Sequence, residues 1–419
     1  MKRALQIENI WLDASHQVLT KTRGWVALPD LLLNDAVAVT SAHGASLDFI
    51  PGITLAHLAH YGEVHELNSE NLSICTTPDS VINVMVPAAT AATAADDQSH
   101  HDDLDDYGDQ GDHREEDRPD GGHQDIGEGG NRTCCQMQMR VLADIEKGDV
   151  RILTILSEDG NPDVPLIVDL AEGDPVKQVV LDGKPAAALL WLLGLWIRDA
   201  LCLSPDDVEP LSDENLRPLG SPDEVVYHLR DYGSMRPSIA RSLISRCGEI
   251  GAGYHISFAS LICTVHCPAL AALTSQLRGQ GMAHMRMPAF LDNLAPRQLR
   301  LFLSPMIYDF RRAGSPGLFL CASPGMRDDL QVLALRAGWS TTFDHSEPLD
   351  QHAAVTSLSR YFLEVYNDRA DHHDHGDVDV TLIKMTASPF SATVYRPVMP
   401  GDHDARLLLI RRNGRCLFV

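Results

Sequence analysis

Behind its opening basic pair, Met-Lys-Arg, this 419-residue chain has no apolar h-region and no small-residue cleavage site. No secretory signal is therefore expected, and an intracellular address is the expectation. It also lacks a hydrophobic run long enough for a membrane. The longest, Ala186 to Ile197 (AAALLWLLGLWI), falls short of the roughly 20 residues a span needs and ends at Arg198 and Asp199. It reads as a buried helix. The nine cysteines follow no repeating frame and are odd in number, so no disulfide scaffold is implied, and reduced, mostly buried thiols are expected. Cys263-Thr-Val-His266-Cys267 offers metal-ligand types, yet no second pair at zinc-ribbon spacing follows, and free cysteine ordinarily behaves as a small hydrophobe. Between residues 185 and 345 lysine is absent altogether: 14 Arg face 15 Asp+Glu, a net of -1. A surface that neutralises many phosphates ordinarily carries a clear positive excess.

What is present is an apolar fraction ample for a real core and a formal charge of -24 that is unevenly spread. Residues 96 to 132 hold 14 Asp+Glu against 3 Arg, which leaves -11 there and -13 elsewhere. With almost no apolar content, this tract cannot offset the entropy of ordering and is expected to be a disordered insert. A shorter tract at 372 to 377 (HHDHGD) resembles it. Its His and Asp could bind a transition metal, and a solvated loop is the plainer reading.

Residues 11 to 90 alternate short apolar runs with turns, an all-β pattern. Strand-like text resumes at 150 to 156 (VRILTIL) and 166 to 170 (LIVDL). From Ala186 helices are predicted: AAALLWLLGLWIRDAL, then SPDEVVYHLRDYG with Ser221 as N-cap, then SLICTVHCPALAALTSQLRG closing at Gly279. After Pro288 come a helix in APRQLRLFLSPMIYDF, a strand in GLFLCAS and a helix in SPGMRDDLQVLALRAGW with Gly338 as C-cap. The second helical group echoes the first, one apolar helix closing on Asp199 and another on Asp309. At the C-terminal end, Thr393 to Tyr395, Leu407 to Ile410 and Cys416 to Val419 read as three strands, the last two joined by an Asn-Gly turn.

In this order the segments resemble an intein, a Hint-type splicing domain, that carries an inserted LAGLIDADG-type (dodecapeptide, DOD-type) homing endonuclease. QVLTKTRGWVALPDLLLNDAVAV (17 to 39) is similar to the first splicing block, and GEVHELNSENLSICTTPDSVINVM (62 to 85) to the block whose Thr-x-x-His activates the first junction. The stretch from ADIEKGDVRILTIL to LLGLWIRDA is similar to the entrance of the endonuclease, and GLFLCASPGMRDDLQVLALRAGWSTTF (317 to 343) to its second half. Arg411-Arg412-Asn413-Gly414 followed by Leu417-Phe418-Val419 resembles the last splicing strand, after which the family has Gly-Asn and then the host protein. The chain is thus expected to stop just before a splice junction.

The resemblance implies an α+β fold. A Hint-like β domain (11–95 and 381–419) is interrupted by the acidic insert (96–133), a β-rich connection (134–184), a duplicated endonuclease-like domain (185–345) and a linker with the His/Asp tract (346–380). It places the splicing nucleophile at Trp11, where an indole cannot perform the N-to-S or N-to-O acyl shift, and a slide to Ser15 needs a four-residue shift of the block. Thr77 matches the family's Thr, but its His position is Ser80, and a hydroxyl cannot replace an imidazole as acid or base. His65 and His16 lie elsewhere and read as surface or satisfied residues. Splicing is therefore expected to be lost.

For cleavage the resemblance assigns Asp199 and Asp309 as the catalytic carboxylates that hold Mg²⁺ near scissile phosphates of double-stranded DNA. Each could equally be an ordinary polar residue at a helix end. The glycine after the first acid is Ala200, and at the second helix the pair of small residues is Ser304 and Phe310. Pro305 and Phe310 are expected to kink or spread the helix crossing. The family's Lys position is Met285, with Arg286 beside it. Arg286, Arg297, Arg300, Arg311 and Arg312 are the expected DNA contacts, the former host flanks the other partner, and a monomer is expected. The alternatives are a catalytically inactive intein remnant that keeps the fold or weak DNA binding, and a His/Asp-rich metal-buffering protein.

Overall fold

The computed structural model describes residues 10–41, 47–69, 72–87, 135–141, 151–153, 163–170, 178–201, 223–229, 236–257, 259–278, 280, 284–307, 317–343, 361–366, 377–379, 384–400 and 406–419. They form a mixed α+β architecture, mostly sheet, with five α-helices among the described residues. The predicted acidic insert and the residues 372–376 of the His/Asp tract lie outside the described residues.

The N-terminal part forms short strands, as its alternation predicts: β1 (Leu12–Asp13), β2 (Gln17–Thr20), β3 (Gly24–Ala27), β4 (Val37–Ser41), β5 (Leu47–Ile50), the long β6 (Thr54–Asn68) and β7 (Ser73–Thr76). Gly24 turns β2 into β3 at φ +68°, a left-handed conformation that glycine adopts without strain. Further strands follow at β8 (Val81–Pro87), β9 (Cys135–Val141) and β10 (Arg151–Leu153), then a hairpin of β11 (Leu166–Asp169) and β12 (Gln178–Leu181). Leu166 and Val168 of β11 point into the core of the helical region, so this hairpin belongs to that core.

The middle of the chain is built twice. The first unit runs α1 (Gly183–Leu201), β13 (Glu224–His228), α2 (Arg236–Ile250), β14 (Gly253–Ser257) and β15 (Ile262–His266), followed by α3 (Pro268–Arg278). The second runs α4 (Pro296–Leu303) with a 3-10 turn (Ser304–Met306), β16 (Gly317–Cys321), α5 (Pro324–Arg336), β17 (Ser340–Thr342) and β18 (Tyr361–Tyr366). Each folds into a three-stranded antiparallel sheet with its last strand central, β13-β15-β14 and β16-β18-β17. Even the stop after the second helix is the same. Gly251 (φ +67°) and Gly338 (φ +79°) close α2 and α5. In α2 Ala252 N–H donates to Cys247 O, and in α5 Trp339 N–H donates to Ala334 O, both at 2.9 Å. This is the six-to-one bond of a helix-closing glycine motif.

The two leading helices, α1 and α4, pack on one another. Helix α1 is buried on nearly all sides, from Ala186 to Leu201, as expected of an apolar helix with no polar face. Gly194 is what admits α4: a Cβ there would lie 2.0 Å from Phe302 O. Pro305 does end the α-helical winding of α4 and opens the 3-10 turn, as its missing N–H requires. Of the two expected effects, this is the kink and not the spread, because the turn packs against Gly194 with Pro305 Cγ 3.0 Å from the same added Cβ. Phe310 lies outside the described residues.

The C-terminal strands β19 (Asp377–Asp379), β20 (Lys384–Val398), β21 (Arg406–Arg412) and β22 (Arg415–Phe418) return to the N-terminal part. Strands β1, β20, β6 and β7 close a small barrel, and β22-β21-β2-β4-β5 form a sheet beside it. Asn413 (φ 49°) and Gly414 (φ 74°) make the predicted two-residue hairpin turn, both with the positive φ such a turn demands. In β21 and β22 successive side chains enter different cores. Leu408, Ile410, Leu417 and Val419 join Val18, Val37 and Val39 inside the β module. Leu407, Leu409, Cys416 and Phe418 pack with Leu335 of α5 and with partly buried Val332. A sheet buried on both faces needs the near-continuous apolar text that β21 has.

Three further sequence readings change. Within SPDEVVYHLRDYG, Glu224–His228 form strand β13 where a helix was expected, since Val225 and Tyr227 alternate inward against Glu224, Val226 and His228, a period of two; Ser221 lies outside the described residues. SLICTVHCPALAALTSQLRG divides into β15 and α3 instead of one helix, with Pro268 starting α3. Residues 361–366, assigned to a linker, form the central strand of the second unit's sheet.

Candidate functional site

Four residues gather around Trp11. Strand β7 delivers Thr76, and the Thr77-Pro78-Asp79-Ser80 turn, closed by Ser80 N–H to Thr77 O at 3.0 Å, folds Ser80 back over β1. Proline and aspartate at its central positions suit such a turn. Ser80 Oγ accepts from Trp11 N–H at 3.0 Å, and Thr76 Oγ1 donates to Trp11 O at 2.6 Å. Ser80 Oγ lies 2.6 Å from Thr76 Oγ1 and 3.0 Å from Thr77 Oγ1. All three hydroxyl residues are buried, so the backbone N–H and carbonyl of Trp11 are held by a dry cradle of neutral groups. The Arg396 guanidinium from β20 lies 5.1 Å from the centre of the Trp11 ring, a cation–π distance.

Trp11, Thr77 and Ser80, singled out in the sequence, are therefore neighbours in space. Thr76 and Arg396 were missed. Thr76 was legible beside Thr77, whereas nothing local marks Arg396 as a partner of Trp11. The cradle can orient a peptide and satisfy its polar groups. It offers no nucleophile at position 11 and no imidazole at position 80.

A second, charged cluster lies along the same strands. His16 is fully buried, its Nδ1 2.6 Å from Asp13 Oδ1, and its Nε2 accepts from Cys75 N–H at 3.4 Å. Arg412 donates to Ser15 Oγ (3.0 Å), Ser73 Oγ (3.2 Å) and Glu66 Oε1 (3.0 Å). Burial alone would raise the Asp13 carboxyl, but hydrogen bonds and charge from His16, Ser15 and Arg412 bring it below the usual carboxylate range. Burial, helped by the Asp13 charge, pushes the Cys75 thiol up to about 12, so it is not a ready nucleophile. Ser15 is occupied by Asp13 (2.8 Å) and Arg412, which fits the plain polar role rather than that of a slid nucleophile. His65 pairs with Thr76 across β6 and β7, and its buried Nδ1 has no hydrogen-bond partner among the described residues.

Asp199 lies in the last turn of α1 and is buried at 2% exposure, with Oδ2 accepting from His228 N–H at 2.6 Å. The bond ties the end of α1 to the end of β13. Next to it, Arg198 donates to Pro305 O at 3.4 Å, so the end of α1 stands beside the turn after α4. The described chain breaks off at Ile307, and Asp309, Arg311 and Arg312 lie outside the described residues. Among the described residues no three His, Cys, Asp or Glu side chains stand close enough to share a metal ion, the Cys263/His266/Cys267 set included. His266 is turned outward against Glu224 at 3.2 Å, while Cys263 faces the core with its thiol pushed up to about 12 by burial.

Of the described arginines proposed for DNA, Arg300 is tied into the fold, while Arg286 and Arg297 pair with acids at the surface. Arg286 makes a paired contact to Asp329 at 2.6 and 2.8 Å, Arg297 lies 3.8 Å from Asp163, and Arg300 donates to Ala337 O at 3.1 Å. Met285 is buried and its carbonyl accepts from Ser323 Oγ at 2.6 Å. No described helix is long and apolar enough to cross a membrane. The chain matches no protein-family model, and no curated protein is significantly similar to it in sequence.

Proposed function

We propose that the chain is intein-derived: a Hint-type splicing module around a duplicated LAGLIDADG-type homing-endonuclease-like domain, with splicing lost and the fold retained. The observation that carries this reading is the seating of Ser80 Oγ on the Trp11 N–H, with Thr76 and Thr77 around it. The resemblance puts an activating group and a scissile amide at those two positions. Acyl transfer through a side chain needs a hydroxyl or thiol on residue 11 and a proton donor for the departing amide nitrogen. Trp11 lacks the first and Ser80 supplies the second poorly.

A test restores both groups. Trp11→Cys/Ser80→His, incubated with a small thiol at neutral pH, is expected to release residues 1–10 as a peptide detectable by mass spectrometry. Each single variant should release far less. A folded double variant that releases nothing removes the reading.

Site-specific double-strand DNA cleavage is the second reading, favoured by the placement of Asp199 at the end of α1 beside the turn that leads toward Asp309. Asp199 and Asp309 would hold Mg²⁺, which when bound supplies charge stabilisation at a phosphate. Against it, one Asp199 oxygen is taken by the His228 N–H, and the described candidate arginines already face acids or carbonyls. Mg²⁺-dependent cutting of DNA that disappears in Asp199→Asn would establish this second reading. A salt-dependent gel shift without cutting favours the fold-only form.

A further inference from the structure

The two units match residue for residue at the corner after α2 and α5. Cys247 O accepts from Ala252 N–H as Ala334 O accepts from Trp339 N–H, and Gly253 opposes His266 as Ser340 opposes Tyr366. Counted from those bonds, Cys247, Cys263 and Cys267 correspond to Ala334, Leu363 and Asn367. Cys263 is thus exchanged for another core hydrophobe, which fits a packing role. Cys247 and Cys267 are exchanged for a methyl group and an amide, so the shared motif requires a thiol at neither position. The fold brings these two together. The β14–β15 ladder ends with Gly253 opposite His266, which sets Ala252 beside Cys267, and it is Ala252 N–H that bonds Cys247 O at 2.9 Å. Both side chains enter one core, Cys247 fully buried from α2 and Cys267 8% exposed at the start of α3. There the Cys267 sulfur accepts from Leu270 and Ala269 N–H, at a cap position where Ser, Thr, Asp or Asn ordinarily stands. Burial pushes the Cys247 thiol up to about 11, and charge on the nearby Cys267 sulfur adds to it.

We propose that Cys247 and Cys267 are a redox modification site, a dithiol that a small disulfide of the glutathione class converts into a disulfide bond. Both are free thiols in the structure, the reduced state of the pair. Cys267, the one reached from solvent, attacks one sulfur of the oxidant as its thiolate and expels the other half, leaving a mixed disulfide. The Cys247 thiolate then attacks the Cys267 sulfur and expels the second half. The pair loses two electrons and two protons, and the oxidant gains both and leaves as two thiols. Burial holds both cysteines above the ordinary thiol range, so the exchange is slow at neutral pH and quickens as pH rises. The bond fastens the end of α2 to the start of α3 across the β14–β15 hairpin. Cys263 also lies near Cys247, but its place in the second unit is taken by Leu363 and it is fully buried, so it is not the attacking thiol. The proposal does not depend on the splicing or cleavage readings.

Peptide mapping without reduction tests it. The folded full chain, held with glutathione disulfide at mildly alkaline pH and quenched with a maleimide, is expected to yield a peptide linking Cys247 to Cys267 that dithiothreitol removes. The first urea transition of the oxidised chain should shift upward, since a cross-link constrains the unfolded chain. Cys267→Ser keeps a capping group and should lose both the link and the shift, with its circular dichroism unchanged. Cys263→Ala should keep the link. A parent that stays reduced, a parent in which Cys247 links to Cys263 instead, or a Cys267 that stops at the mixed disulfide would each overturn the proposal.

Discussion

Replacing Gly194 by alanine puts the helix crossing to a direct test. The new Cβ would stand 2.0 Å from Phe302 O and 3.0 Å from Pro305 Cγ. A carbon and a carbonyl oxygen come to rest at roughly 3.3 Å or more, so α1 and α4 must part by more than about 1 Å. No rotamer change can relieve this, because the obstruction is backbone and Phe302 is itself fully buried. Overpacking of that kind costs about 1–3 kcal/mol, against about 1 kcal/mol that alanine gains over glycine inside a helix. The net expectation is destabilisation by up to about 2 kcal/mol. Gly248 in α2 supplies the control, since a Cβ there meets nothing within 4 Å. Gly248→Ala should therefore stabilise by about 0.5–1 kcal/mol. Urea denaturation followed by circular dichroism reads both, comparing the first transition because a chain of this size need not unfold in one step. If Gly194→Ala shifts the midpoint upward like Gly248→Ala, the close crossing is wrong.

Two other outcomes follow from the charged groups. Arg411 is 4% exposed, bonded to Asp328 (2.7 Å), Gln331 (3.0 Å) and Gln17 (2.9 Å), and lies over Trp25 at 4.4 Å. Arg411→Met should cost about 3 kcal/mol, much of it from stranding Asp328, so the same change in an Asp328→Asn background should cost less. Equal urea-midpoint losses in both backgrounds would refute the pairing. For Asp13 the folded carboxyl is depressed, so its contribution is fully present above the ordinary carboxyl range near pH 4 and is lost as pH falls through the lower folded value. Asp13→Asn should be less stable than the parent at neutral pH and converge with it below that range. Parallel acid-unfolding curves would contradict the sign.

The sequence exposed the frame better than the sites. Strands in residues 11 to 90, the Asn413-Gly414 hairpin and the helix from Pro324 closing at Gly338 all carry local signals, turn residues and apolar periods, and all are present. The segment from Ser221 misled because Ser-Pro-Asp-Glu has the chemistry of a helix start, while the alternating burial of Val225 and Tyr227 depends on β15, far along the chain. Helix α2 was passed over because its face is weakly apolar. Around Trp11, the resemblance of the segments named Trp11, Thr77 and Ser80, but nothing in it named Arg396 over the indole. Pairings such as Gly194 with Phe302 depend on tertiary contact that no window of sequence contains.

Strand β21 fastens two halves of the molecule with one run of seven residues. Arg411 reaches Asp328 on α5 while its neighbour Arg412 reaches Glu66 on β6, and the leucines before them divide in the same way. A single-residue insertion upstream within that strand would hand each half the other's side chains, putting isoleucine where the Arg411 guanidinium belongs beside α5 and that guanidinium in the place of Arg412 beside β6. Nor can either half be trimmed away cleanly. Excising the terminal hairpin would strip α5 of the surface that covers Val332 and Leu335 and would open the barrel's flanking sheet in the same stroke.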